Sequence, residues 1–520
     1  LKPETRYSWK VSVWDQSGKS NTGESWFETG LMNSEISAWS GAQWIGGGNE
    51  DLVLYSPYLA IFNTKFKIAI EPGSSRASFI YGANDSRLMD RNKNIWQLEN
   101  KRNKSYIKIE LDISAVDGSE SGRAKINVYR SGYINTDTSE KPLRTFEIKT
   151  EFINNENKNN EHTVQFTSIF GQISLTINGS ASFNHVPPSA PEQTPAPGAR
   201  PDFMGRQGGP SVNLNPLGNG GNYIPFGLLC DIGFSAEPGQ RASFSEVVVT
   251  NNRFPNAILF SENLTASGYN GIFSGHASDP ASGIKITDGK YLIDGGTGGT
   301  LITADPCRNS TPMLRTEFKT AGKNIKDARL YVTARGIYEF FINGKKVGDD
   351  YYNPGLTQYN ITHLYQTYDV TGLIINGENA MGAMLGEGWW SGLLSFGNIW
   401  NHFGDRQSLL AKLVITYTDG TETLITTNNK DWKYFDKGPV IYSSLDMGEV
   451  YDATREAATE GWTTSAYNDN AWKSAIAVPL EGTSFTGRST ERDGTVSEFS
   501  FEKMKLTGQI GNNAGVFQVI

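Results

Sequence analysis

Cysteine is nearly absent. Cys230 and Cys307 are the whole supply in 520 residues, which excludes a disulfide scaffold and a thiolate metal cluster. Histidine is almost as scarce, with five scattered residues and no HExxH pair, so a zinc site lacks its ligand set. No stretch approaches the roughly 18–20 apolar residues that a helix needs to cross a membrane, and no basic-then-apolar leader opens the chain. Long basic blocks are missing too: 47 Lys and Arg are interspersed among 55 Asp and Glu, for a net charge of −8, so nothing supports a nucleic-acid partner. GxSxG, Walker and Rossmann loops in a strand–turn–helix setting are absent. So are helical periodicities longer than about three turns.

What the chain does contain is aromatic and turn-forming. It has 12 Trp, 22 Tyr, 26 Phe and 56 Gly, a mixture that builds short strands joined by turns, and its length predicts three or four domains. TRYSWKVSVW (5–14) alternates apolar and polar residues, and SWFETG (25–30) reads as its partner strand. Two strands do not make a stable sandwich, so this pair predicts the end of a domain that starts before Leu1. From about residue 52 to 250, short runs such as KFKIAI (65–70), YIKIEL (106–111) and ISLTING (173–179) give the spacing of an all-β sandwich. Residues 187–225 carry nine of the 21 prolines and predict a long loop. Further strands follow between 328 and 427. There Asn343-Gly344 predicts a two-residue hairpin, because both residues accept the positive φ of a type I′ turn.

The run ARLYVTARGIYEFFINGKKVGDDYYNPGLTQYNITHLYQTYDVTGLIINGENAMGAMLGEGWWSG (328–392), with SSLDMGEVYDATREAATEGW (443–462) after it, resembles the N-terminal β-module of bacterial α-L-rhamnosidases of glycoside hydrolase family 78. The YSWKVSVWD and WIGG segments resemble the fibronectin-like start of the same proteins. This implies an all-β chain of tandem β-sandwiches: the last strands of a fibronectin III-like domain at 1–38, a concanavalin- or laminin-G-like lectin sandwich at 39–255, a galactose-binding-like jelly roll at 256–485, and the start of a further β-domain at 486–520. The resemblance also implies a downstream (α/α)6 catalytic domain in the same polypeptide, a rhamnose-containing glycan as partner, and a periplasmic or secreted location. The family's catalytic acids have no matching positions here. A stand-alone carbohydrate-binding or adhesion protein, and the sugar-binding region of a family-2-type glycosidase, are the alternative readings.

Candidate sites concentrate in 349–402. Trp389 and Trp390 sit in the glycine-flanked GEGWWSG, a setting suited to stacking a sugar ring; adjacent strand residues point oppositely, so at most one of the two is expected to face a ligand, and packing of both into the core or a domain interface is the rival reading. Asn398, Trp400, Asn401 and His402 would add contacts. Asp349, Asp350 and Asn353 offer closely spaced oxygen donors for calcium. Asp349, Asp350, Asp369, Glu387 and Asp405 are the carboxyls from which a catalytic pair would come, although turn capping and local ion pairing account for them as well. Tyr81, Asn84, Asp85, Arg87 and Asn92 form a polar stretch in the lectin-like region.

Overall fold

The computed structural model describes residues 1–47, 61–84, 106–132, 137–138, 140–169, 172–179, 183–184, 211–214, 230–251, 258–261, 264–265, 273, 283–303, 310–392, 403–404, 406–446, 448–478, 488–490, 496–498 and 504–510. These residues are almost entirely β. The chain divides into two compact units, one made of Leu1–Leu52 with Asn309–Ile520 and one of Val53–Arg308.

The core of the first unit is a jelly-roll-like pair of sheets. One sheet runs in the order Lys345–Lys346, Ile337–Ile342, Glu378–Gly386, Met313–Lys319, Lys433–Phe435 and Lys473–Ser474; the other runs Ile476–Ala477, Ile45–Gly46, Ser408–Tyr417, Ile325–Arg335, Thr362–Asp369 and Lys505–Ile510. Strand alternation supplies the interior. Ala328, Leu330, Val332 and Ala334 from one sheet meet Phe340, Ile342, Met381 and Ala383 from the other. The opposite face of the second sheet is covered as well, since Tyr331, Tyr365 and Leu410 pack against Trp39 and Trp44. A sheet covered on both faces is mostly apolar on both, which is why SLLAKLVITY (408–417) is apolar on both strand faces apart from Ser408, Lys412 and Thr416. The expected Asn343-Gly344 turn is present, with φ values of 49° and 79° between the paired Ile342 and Lys345.

The N-terminal hairpin, Arg6–Trp14 with Ser20–Glu28, is fixed to this sandwich by charge. The Glu28 carboxylate accepts from Arg329 Nε at 2.6 Å and Nη2 at 2.9 Å, and both side chains are almost wholly buried. Lys412 Nζ adds an ion pair to Glu4 at 2.9 Å. Trp26 packs against the jelly-roll core, while Trp9, Val11 and Val13 are exposed.

In the second unit, two sheets face each other across an aromatic core in which Phe66, Phe79, Phe234 and Phe244 stack. One sheet has the order Ser211–Asn213, Gln172–Ile177, His162–Ile169, Ile61–Ile70, Arg241–Asn251, Lys290–Asp294 and Ile284–Thr287, with Ile258–Ser261 also on Arg241–Asn251. The other has Phe183–Asn184, Arg144–Ile148, Lys125–Ser131, Tyr106–Asp112, Arg76–Asn84, Cys230–Ala236 and Thr300–Thr303.

Two boundaries differ from the sequence reading. The strands between 258 and 303 complete the second unit, which therefore runs to Arg308 and not to 255. Lys505–Ile510 is not the opening of a separate domain, because it pairs in parallel with Thr362–Asp369 of the jelly roll. Of the predicted 187–225 loop, only 211–214 fall among the described residues.

Candidate functional site

The jelly roll carries a cleft of about 190 Å³ whose walls include Glu339, Asp350, Tyr351, Tyr352, Met384 and Glu449. Its rim comes from the segment that follows the Asn343-Gly344 hairpin. Tyr351 is 75% and Tyr352 58% exposed. Tyr352 takes a left-handed φ of 60°, a conformation that costs energy in a non-glycine residue and persists where neighbours enforce it. Here the neighbouring bonds run from Tyr338 N to the Asn353 carbonyl at 3.1 Å and from Gly355 N to the Tyr352 carbonyl at 2.9 Å. The ring of Tyr352 stands 6.5 Å from that of Tyr351 and 6.4 Å from that of Trp389, so three aromatic side chains form one strip beside the cleft.

Under the rim lies a hydrogen-bonded chain. Asn353 Nδ2 donates to the Tyr368 hydroxyl at 2.8 Å, which donates to Asp350 Oδ2 at 2.8 Å. Burial above all, and the Asp350 carboxylate beside it, keep the Tyr368 phenol protonated well above its ordinary range. Tyr338 donates to Gln366 Oε1 at 2.8 Å. On the open side, Glu339 pairs with Lys346 at 2.5 Å, whose ammonium lies 5.0 Å from the Tyr351 ring. The cleft thus offers aromatic faces and carboxylate acceptors around a small opening, the mixture that recognises a polyol with one apolar face.

Trp389 is half-buried and Trp390 fully buried, in a local structure other than the expected strand. Gly388–Ser391 is one helical turn and not a strand. Gly388 starts it at φ 53°, and a Cβ there would come within 2.7 Å of Ile337 Cγ2, so this position requires glycine. Trp390 is 1% exposed and packs with Tyr359 and Phe403, which removes it as a sugar platform. Behind it His363 is buried, bonded through Nε2 to the Ala334 carbonyl at 3.0 Å. Burial first, then the adjacent Arg335, push its pKa down to about 3. Trp389 is half-buried, packs against the cluster of Trp390, Tyr359 and Phe403 and has its ring 6.4 Å from that of Tyr352. Asn398, Trp400, Asn401 and His402 lie outside the described residues, as does Asp405.

The three oxygen donors expected for calcium have different surroundings. Asn353 and Asp350 both engage Tyr368, Asp349 is exposed, and among the described residues no three carboxylate, imidazole or thiolate groups converge as a metal site. Asp369 caps a turn, accepting from Thr371 N and Oγ1 at 3.0 and 2.6 Å, and pairs with Arg329 at 3.0 Å. Of the polar stretch in the second unit, Tyr81 is fully buried and Asp85, Arg87 and Asn92 lie outside the described residues. Tyr351 and Tyr352, the most prominent rim residues, were not singled out from the sequence, although they stand inside the same GDDYYNPG run as the acids.

Residues 323–492 match the α-L-rhamnosidase N-terminal domain, and residues 1–33 match the Rha78A-like N-terminal immunoglobulin domain. An α-L-rhamnosidase of Streptomyces avermitilis is 38% identical over 224 residues, covering 40% of this chain and 21% of that protein. One from Alteromonas sp. is 40% identical over 169 residues, covering 32% and 18%. Among solved structures, the Streptomyces avermitilis α-L-rhamnosidase complexed with L-rhamnose aligns with 92% of this chain and 37% of its own, at 22% identity and a TM-score of 0.40. The chain therefore spans about a fifth of the length of these curated relatives.

Proposed function

We propose that this chain, which carries an α-L-rhamnosidase N-terminal domain, is the accessory, glycan-engaging portion of an α-L-rhamnosidase that removes terminal α-L-rhamnose from plant-type glycans. Hydrolysis itself belongs to an (α/α)6 domain of the same polypeptide. The observation that carries the reading is the cleft lined by Tyr351 and Tyr352, with the Trp389 ring 6.4 Å from that of Tyr352, within the matched residues 323–492. A rhamnose ring has an apolar C–H face and a methyl group to lay on an aromatic strip, and hydroxyls to donate to the carboxylates opposite. Holding one terminal sugar in this way keeps the polymer near the enzyme, and a periplasmic or secreted location suits such a substrate.

The test is calorimetric titration of L-rhamnose into the whole chain. Weak saturable binding that Tyr352→Ala abolishes supports the reading. No binding, or binding unchanged by Tyr352→Ala, counts against it.

A further inference from the structure

The second unit holds a cleft of its own. The strand Arg241–Asn251 changes partner along one edge: Arg241–Phe244 pair with Tyr291–Asp294, whereas Val248–Thr250 pair with Ile258–Ser261. Between those two pairings the strand bulges, since Ser245 faces Lys67 but Val248 already faces Lys65. Glu246 at the bulge has a left-handed φ of 50°. Bulges re-aim side chains and end pairing, and this one leaves a cleft of about 330 Å³ at the fork, within the size range of small-molecule sites.

One wall is a row of alternating charge. Glu246 pairs with Lys67, and Lys290 Nζ lies 2.7 Å from Glu161 Oε1. Glu161 feels both ammonium groups and also accepts from Ser245; the hydrogen bond from Lys290 is the main reason its pKa falls. Val247 and Leu264 supply an apolar patch beside the row. The row's four side chains are between 31% and 59% exposed, so they are positioned yet reachable.

This arrangement selects by chemistry. Each ammonium already has a carboxylate, and Asp288 adds a further negative charge to the lining, so an anion meets net repulsion. A free cation would compete with two lysines that are already in place. A neutral ring with vicinal hydroxyls meets neither obstacle. Each hydroxyl both donates and accepts, and the row presents acceptors and donors in turn, as charged groups whose hydrogen bonds are the stronger kind.

We infer that this cleft is a second saccharide site, which takes a neutral hexose or deoxyhexose ring by hydrogen bonding alone and without aromatic stacking. It stands independently of the jelly-roll cleft, because every residue in it belongs to Val53–Arg308.

The experiment uses the whole chain with Tyr351→Ala and Tyr352→Ala introduced to disable the first cleft. D-Galactose, L-rhamnose and D-galacturonate are titrated by saturation-transfer difference NMR and calorimetry. At least one neutral sugar is expected to bind at millimolar level. Glu161→Gln and Lys290→Met should each weaken it about tenfold or more, with far-ultraviolet circular dichroism unchanged, and galacturonate should bind more weakly than galactose. The inference is overturned if neither neutral sugar binds in that background, if both substitutions leave binding unchanged, or if galacturonate binds the tighter of the two hexoses. Loss of rhamnose binding on Tyr352→Ala alone would concern the jelly roll and leave this site untouched.

Discussion

Replacing Glu28 by glutamine removes the negative half of a buried bidentate ion pair. Glu28 and Arg329 have side-chain exposures of 8% and 6%, so the guanidinium left behind is shielded from water. Breaking a buried pair on one side costs about 3–5 kcal/mol. Arg329 would keep Asp369 at 3.0 Å and the Ala328 carbonyl at 3.1 Å, which places the expected loss at the lower end, about 3 kcal/mol. Urea unfolding followed by tryptophan fluorescence reports on the right unit, because Trp96 is the only one of the 12 tryptophans within Val53–Arg308. The matched control is Lys10→Gln, which breaks an exposed hairpin pair with Glu24 at 2.8 Å and should leave the midpoint where it was. A Glu28→Gln loss below about 1 kcal/mol would refute the claim that this pair clamps the hairpin to the sandwich, since the reasoning rests on the uncompensated charge.

The division between Trp389 and Trp390 predicts unequal costs. Trp390→Ala should destabilise the first unit by about 3–5 kcal/mol as a large core truncation, and Trp389→Ala by about 1 kcal/mol; equal losses in urea titrations would contradict the packing described. His363 predicts a pH effect with a definite sign. The fold holds it neutral down to about pH 3, whereas the unfolded chain binds its proton below about pH 6.5. Stability is therefore complete above that value and falls as pH drops, by about 2 kcal/mol at pH 5. His363→Gln should flatten that slope between pH 7 and 5, and an unchanged slope would assign the effect elsewhere. Gly388→Ala should also destabilise, by about 1–3 kcal/mol, because it combines a φ of 53° with a contact at 2.7 Å; a neutral result in the same titration would show that the turn relaxes.

Much of this architecture was legible because local chemistry and tertiary context agree. Asn343-Gly344 forms its hairpin because few other pairs accept two successive positive φ values. The strands around 328–334 and 409–417 were legible from apolar content, which a sheet covered on both faces demands. The end of the second unit was not legible. Its last strand, Thr300–Thr303, pairs with Gly233–Ala236 across more than sixty residues of sequence, and nothing in the composition of 258–303 announces a partner so distant. The site divided in the same way. The glycine-flanked tryptophans read as an alternating pair, but the helical turn that buries Trp390 depends on the packing of Gly388 against Ile337. Tyr351 and Tyr352 carry no signal of their own within GDDYYNPG, and only the three-dimensional position of Tyr368 between Asp350 and Asn353 shows what those polar groups bond.

The most direct test of the accessory-domain account is release of the aryl group from p-nitrophenyl α-L-rhamnoside, measured for this 520-residue chain beside the complete product of its gene. The account predicts turnover by the complete product and none by the chain alone. Turnover by the chain itself would mean that a working carboxylate pair lies within these β-sheets, and failure of both would contradict the assignment to a rhamnosidase.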